Sequence, residues 1–234
     1  MKKQRNSDNV ICLLRQVPLL SNLSVADIEQ TAKKILIQKY KKDEVLIQYD
    51  TENKQLYMIL KGKVKVNVIN DEGKDVTIAI RGAFEHLGEI SLIDNKTTSA
   101  SVIALEDTNV AVMSKNDFWQ LTDSEPRFAK CLMTELCSKV RDANDIIKRL
   151  TYNKAQQRIK VMFHVLSSKF VVQSSNVIKI EVPLTHQDIA NMTGLFRETV
   201  TSVLANWRDE GYILDVKKKY YYFNPKFFEK DFVL

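Results

Sequence analysis

The sequence is poor in glycine, proline, cysteine and histidine. Six glycines and four prolines in 234 residues exclude a collagen-like or flexible low-complexity chain. With so few, each glycine is expected to mark a specific turn, because glycine reaches positive φ at the lowest steric cost. The three cysteines, Cys12, Cys131 and Cys137, form no CxxC pair, which argues against a zinc finger or a disulfide framework. They are expected to be buried apolar thiols. Nothing approaches about 18 uninterrupted apolar residues, so no membrane-spanning helix is expected, and the basic opening of the chain lacks the apolar stretch of a leader. The expected location is the cytoplasm. Ser-His-Asp, HExxH and P-loop patterns are also missing, so the chain is not expected to be an enzyme.

What is present is ordinary for a globular protein: 44% hydrophobic and 27% charged residues. At roughly 100–200 residues per domain the length allows one large domain or two small ones. The net charge of +6 is uneven. Residues 151–234 hold 12 basic against 8 acidic side chains, and residues 1–150 hold 23 against 21. A polyanion surface is therefore expected in the shorter, more basic part.

From about 40 to 114 the hydrophobic period is two. Short runs at 43–48, 55–60, 63–69, 76–80, 99–104 and 109–114 are separated by turn signals, which predicts a sandwich, jelly roll or barrel. In 63–68 the lysines are expected to face out and the valines in. Before this region, 24–36 has helical spacing, with Ser24 as N-cap and Asp27 placed for a capping box. After it, Pro126 opens a helix of about 25 residues with Leu132, Leu136, Val140, Ala143, Ile147 and Leu150 on one seam. Their spacing averages close to 3.5, as in a coiled coil. The seam predicts pairing with a second copy; packing on the chain's own β domain is the alternative.

Residues 184–213 are the most informative. Thr185 can cap a helix running to about Met192, Gly194 can end it, and a second helix is expected from Arg197 to Asp209, stopped at Gly211. Small Ala190, turning Gly194 and apolar Val200 fit a helix-turn-helix. Arg197, Glu198, Thr201 and Ser202 are then exposed at the start of the second helix, where side chains reach base edges in a major groove. The strand, lysine tip and strand over 212–223 form a wing, whose Lys217, Lys218 and Lys219 would meet phosphates.

Together these features resemble the CRP/FNR family of bacterial transcription regulators. The local patterns are Leu56-Tyr57-Met58-Ile59-Leu60-Lys61-Gly62-Lys63-Val64, Gly88-Glu89-Ile90-Ser91-Leu92, and Arg197-Glu198-Thr199-Val200 after Gln187-Asp188-Ile189-Ala190. The resemblance implies an α+β chain with an antiparallel β-roll of the cyclic-nucleotide-binding kind over 1–124. A dimerisation helix and hinge would follow over 125–152, and a winged helix-turn-helix over 153–234. It implies a homodimeric activator that binds double-stranded DNA at a palindromic operator and contacts RNA polymerase, with anaerobic or catabolic genes as its targets. Arg197 and Glu198 would read bases, with Ser202 where many relatives carry a second arginine. Thr185, Gln187 and Thr199 would hold phosphates. Phe196 departs from the usual small capping residue at a cost of about 1 kcal/mol.

The effector pocket implied by the resemblance comprises Gly88, Glu89, Ile90, Ser91, Thr98, Ser99 and, on the long helix, Asn144. Thr98 stands where cyclic-AMP binders carry an arginine for the phosphate, and Ala143 and Asn144 replace a hydroxyl pair. Losing the charge-assisted fork alone would cost some 1.5–3 kcal/mol, so tight cyclic AMP binding is not expected. Cys12 alone cannot build an iron–sulfur cluster. His86, the one histidine of this region, is expected on the polar surface rather than as a haem ligand. The alternative reading is a cyclic-nucleotide-responsive regulatory subunit, or a protein-interaction module without DNA binding.

Overall fold

A computed structural model of the chain describes residues 10–174 and 176–229, without the side chain of Arg149. The first part of the basic opening, 1–9, lies outside the described residues. The chain divides into two compact units, with the division falling inside its longest helix after Asp142.

In the first unit a short 3-10 turn at Pro18–Leu20 precedes helix α1 (Val25–Lys34), where the expected capping box is complete: the Ser24 hydroxyl accepts from the Asp27 amide and the Asp27 carboxylate takes the Ser24 amide. Strands β1 (Leu36–Tyr40), β2 (Val45–Ile47), β3 (Gln55–Lys61), β4 (Val64–Ile69), β5 (Asp75–Arg81), β6 (His86–Leu87), β7 (Ser101–Ala104) and β8 (Thr108–Ser114) follow. They form two four-stranded sheets, in the orders β1-β8-β3-β6 and β2-β7-β4-β5. Helix α2 (Glu89–Asp94) interrupts the strands, and α3 (Lys115–Ser124) leads into α4 (Pro126–Leu150).

Strand β3 shows why its sequence is a continuous apolar run. Tyr57 and Ile59 pack into one core with Val64, Val102, Val110 and Val112. Leu56, Met58 and Leu60 point the other way, into a second core with Leu19, Leu20, Phe118 and Phe128. A strand buried on both faces cannot alternate. On β4 the expected alternation holds for Val64 and Val66 but fails at Asn67, which is buried despite its place in the polar register. The cause is position, since β4 lies inside its sheet between β7 and β5. Strand β1 falls outside the runs read above, because Leu36 and Ile37 are exposed and its pattern carries no buried alternation.

Helix α4 runs uninterrupted over the predicted 25 residues, but the predicted seam needs correcting. Leu132 is buried in the unit's own core and Leu136 packs against that core, while Val140, Ile147 and Leu150 are exposed. The outward stripe is instead Met133, Cys137, Val140, Asn144 and Ile147, all exposed and stepping four, three, four, three as a heptad does. Ala143 is exposed beside it. The cysteines also differ from expectation. Cys12 and Cys137 are exposed, and Cys131 is half-buried next to the Asn22 amide. A helix has room for one inward face, and Phe128 and Leu132 already occupy it.

The second unit holds α5 (Ala155–Lys169), β9 (Val171–Ser174), β10 (Val177–Ile180), α6 (His186–Thr193), α7 (Arg197–Asp209), β11 (Ile213–Lys217) and β12 (Tyr220–Phe223). One sheet, ordered β11-β12-β10-β9, carries Tyr221 and Phe223 into an aromatic core. There Phe163 of α5 meets Phe223 at 4.8 Å between ring centroids, and Trp207 of α7 meets Phe227 at 4.9 Å. The β9–β10 hairpin carries no period-two signal in the sequence, because β9 is exposed along its whole length. Five of the six glycines take positive φ, as expected.

Candidate nucleic-acid interface and effector site

The turn between α6 and α7 is built from local chemistry. Thr185 caps α6, accepting from the Asp188 amide, while the Asp188 carboxylate takes the Thr185 backbone N–H. Gly194 ends α6 at φ 66°, a conformation strained for any residue with a Cβ. Buried Ala190 and Val200 lie on facing sides of the pair, the small residue allowing close approach. Along α7, Val200, Val203, Leu204 and Trp207 are buried, and Arg197, Glu198, Thr201 and Ser202 are exposed. All four predicted base contacts therefore share one open face. Phe196 is the N-cap and makes no side-chain cap bond.

Among the predicted phosphate contacts, Gln187 is exposed and donates to Asn191 at 2.7 Å, while Thr199 is half-buried. Thr185 gives both its donors to Asp188, so in the free chain it shapes α6 rather than facing outward. No motif in the sequence marks His186. Its Nδ1 lies 2.8 Å from the Thr201 hydroxyl, which itself donates to the Arg197 carbonyl at 2.9 Å. The hydroxyl has one hydrogen, so the imidazole supplies the proton between them. Burial, then Arg197 and Arg208, hold the pKa of His186 below its ordinary value.

The wing tip is a two-residue hairpin turn. Lys217 pairs with Tyr220 across it, and Lys218 and Lys219 both take positive φ, 50° and 70°. A type I′ turn demands that geometry and favours Asn-Gly; this chain places two lysines there. The Lys219 carbonyl accepts from the Leu184 amide at 2.9 Å, which fixes the wing beside the start of α6. All three lysines of the tip are exposed.

In the first unit, Gly88 takes φ 90° before α2, and a Cβ there would meet the Gln55 carbonyl at 2.7 Å. Glu89 is 2% exposed, and its Oε1 meets Lys139 Nζ of α4 at 2.6 Å. The same ammonium donates to the His86 carbonyl at 2.8 Å. Burial pushes the Glu89 carboxyl up, but Lys139 and His86 outweigh it and hold its pKa below the usual range. His86 is 1% exposed, not on the polar surface as expected. It sits on β6, paired to Met58 of the doubly buried β3. Burial, then Lys139, pull its pKa to about 4 against the opposing pull of Glu89.

Two family models match the chain in order: a cyclic nucleotide-binding domain over residues 37–125 and a Crp-like helix-turn-helix domain over 162–226. Curated relatives match most of the chain. The cyclic AMP receptor protein of Thermus thermophilus is 25% identical over 84% of this chain and 88% of its own. The CRP-like cAMP-activated global transcriptional regulator of Mycobacterium tuberculosis is 24% identical over 68% and 71%. The chain belongs to the CRP/FNR family. It is a DNA-binding transcription regulator of this type. The fold agrees with that of the c-di-GMP responsive global regulator CLP of Xanthomonas campestris, at a TM-score of 0.72 over 86% of this chain and 99% of that one, with 19% identity.

Several of the groups that the resemblance would place around an effector are already engaged within the first unit. Glu89 is occupied by Lys139. Thr98 is buried, its hydroxyl donating to the Gln48 carbonyl and accepting from the Thr51 amide at 3.1 Å. It braces the loop after β2 and does not face outward. Asn53 donates to the Gly88 carbonyl and lies 3.2 Å from the Ser91 hydroxyl, so Ser91 is also engaged. Ile90, Ser99 and Asn144 are exposed. Arg81, the nearby arginine, is bound to Asp142 at 2.9 Å and Glu85 at 3.3 Å. These residues do not fit a cyclic nucleotide: the carboxylate is taken, and the threonine at the expected phosphate position points inward.

Proposed function

We propose that the chain acts as a homodimeric activator that binds a palindromic duplex site, with α7 in the major groove. The observation that carries this reading is the face of α7, where Arg197, Glu198, Thr201 and Ser202 stand in solvent over a fully buried opposite side. Arg197 forks onto O6 and N7 of a guanine, and Glu198 accepts from a cytosine N4. Ser202, with a short hydroxyl where many relatives carry a second arginine, reads one base less strictly. Gln187, Thr199, Lys217, Lys218 and Lys219 follow the phosphates, and Thr185 supports them by fixing the start of α6.

A second copy packs along the Met133, Cys137, Val140, Asn144 and Ile147 stripe, with residues 125–152 as rod and hinge. Two α7 helices then enter successive major grooves about 34 Å apart. RNA polymerase is the further partner, and genes of anaerobic or catabolic metabolism are the family-style targets. The closed Glu89–Lys139 pair favours a regulator set by its own abundance over one that waits for a cyclic nucleotide. Its place of work is the cytoplasm, with the DNA; no helix among the described residues is long and apolar enough to cross a membrane.

Selection of bound duplexes from random DNA, followed by gel shifts, tests the reading. The expected result is an inverted repeat with affinity falling steeply in salt. Binding that ignores sequence would sink it.

A further inference from the structure

We infer that Thr201 reads a thymine through its methyl group, and that His186 is the positioning residue that presents it. The inference rests on α7 being the groove-reading helix proposed above. Thr122, Thr134, Thr193 and Thr201 each sit in a helix and donate their hydroxyl to the carbonyl four residues earlier. Thr201 differs from the other three in what its oxygen accepts, because Nδ1 of His186 on α6 lies 2.8 Å away.

The bond to the preceding turn does not by itself orient a helical threonine, since two rotamers bring the hydroxyl within its reach. A donor fixed on the neighbouring helix selects between them. His186 is such a donor: it opens α6 directly after the capping residue Thr185, and it is half-buried. The Thr201 hydrogen is spent on the Arg197 carbonyl and one oxygen lone pair on the imidazole. No hydroxyl hydrogen is left for N7, O6 or O4 of a base.

Thr201 is nonetheless exposed, one turn after Arg197 on the face that carries Glu198 and Ser202. With its oxygen held between α6 and the preceding turn of α7, the part that meets a base is the Cγ2 methyl. Among the base edges of the major groove the apolar group is the thymine 5-methyl, and a threonine methyl is one of the groups that meet it. Burial of one methyl group amounts to about fourfold in affinity. A polar residue thus becomes an apolar reader, because its neighbour on α6 has taken up the polar half.

The test uses the full chain and the duplex selected by the wild type. Each thymine of a half-site is replaced in turn by deoxyuridine, which removes only the methyl group. At one position the wild type is expected to lose about fourfold per half-site. Thr201→Ser keeps both hydroxyl bonds and should be indifferent to that change. Thr201→Val keeps the methyl, accepts nothing from a base amino group, and should keep the discrimination. His186→Leu removes the donor and should reduce the discrimination, whereas His186→Asn, whose amide stands in for Nδ1–H, should restore it; loss of packing alone would not be repaired in this way. Equal thymine-over-uracil discrimination in wild type and Thr201→Ser would overturn the inference, as would a sequence-specific wild type indifferent to every methyl. Full discrimination in His186→Leu would overturn the positioning role of His186. A wild type with no sequence preference at all would instead defeat the groove-reading proposal itself.

Discussion

His86, Glu89 and Lys139 place a charge cluster where the first unit is driest, and its energetics are set by who partners whom. Glu89 and His86 are 2% and 1% exposed, and Lys139 supplies the cation. Lys139→Met leaves a buried carboxylate unpaired, with an expected loss of about 3 kcal/mol in urea unfolding followed at Trp119, in a Trp207→Phe background. Glu89→Gln added to it should recover part of that loss. Acid acts through His86 first. Its pKa is about 4 folded and 6.5 ordinarily, so the unfolded chain binds a proton that the folded chain refuses. Stability is full above pH 6.5 and falls by about 3 kcal/mol on the way to pH 4. Glu89, with its pKa lowered from 4.5, withdraws support only below that value. His86→Gln should therefore flatten the limb between pH 6.5 and 4.5 and leave the lower one. At the other site, Arg197→Ala should relax preference at one base pair by about 1–3 kcal/mol in competition gel shifts; uniform weakening would make it a phosphate contact. None of the burial at His86 is legible in its neighbours along the chain, because β3 and α4, far away in sequence, create it. The roles of Thr98 and Thr185 are hidden likewise, since a hydroxyl's direction follows from the fold.

Elements with strong local signals were readable. The bounds of α4 and α7 follow from periodicity, Pro126, Gly194 and Gly211, and the wing from its alternation around three lysines. Elements lacking an inward face were not, as β1 and β9 show with their exposed residues. The seam of α4 was legible as a heptad but ambiguous in phase, because Leu132 and Leu136 serve the unit's own core. Paired substitutions separate the phases. Val140→Asn with Ile147→Asn should shift sedimentation toward monomer with little loss of fold, whereas Leu132→Asn should destabilise the first unit itself. The wing tip makes a different trade. Two lysines at positive φ resist their own backbone geometry, a strain found where contacts are functional. Lys218→Asn with Lys219→Gly should firm the hairpin, weaken DNA binding across all sequences and lower the salt slope by about one per lysine and half-site.

Over the whole molecule, charge and core are distributed by task. Residues 151–234 carry four of the six net positive charges, so encounter with DNA is steered mainly by the part holding α6, α7 and the wing. That asymmetry was visible before any fold, as was the order of β-rich and helix-turn-helix regions; the detailed division after Asp142 was not. Strand β3 gives the first unit its mechanical character. Since it feeds Tyr57 and Ile59 to one core and Leu56, Met58 and Leu60 to the other, neither core can melt while the other survives. The amides of β3 should exchange with deuterium only through global opening, slower than those of β1 or the wing. The first unit can then pass on a signal by moving bodily, and loosening one of its layers is closed to it.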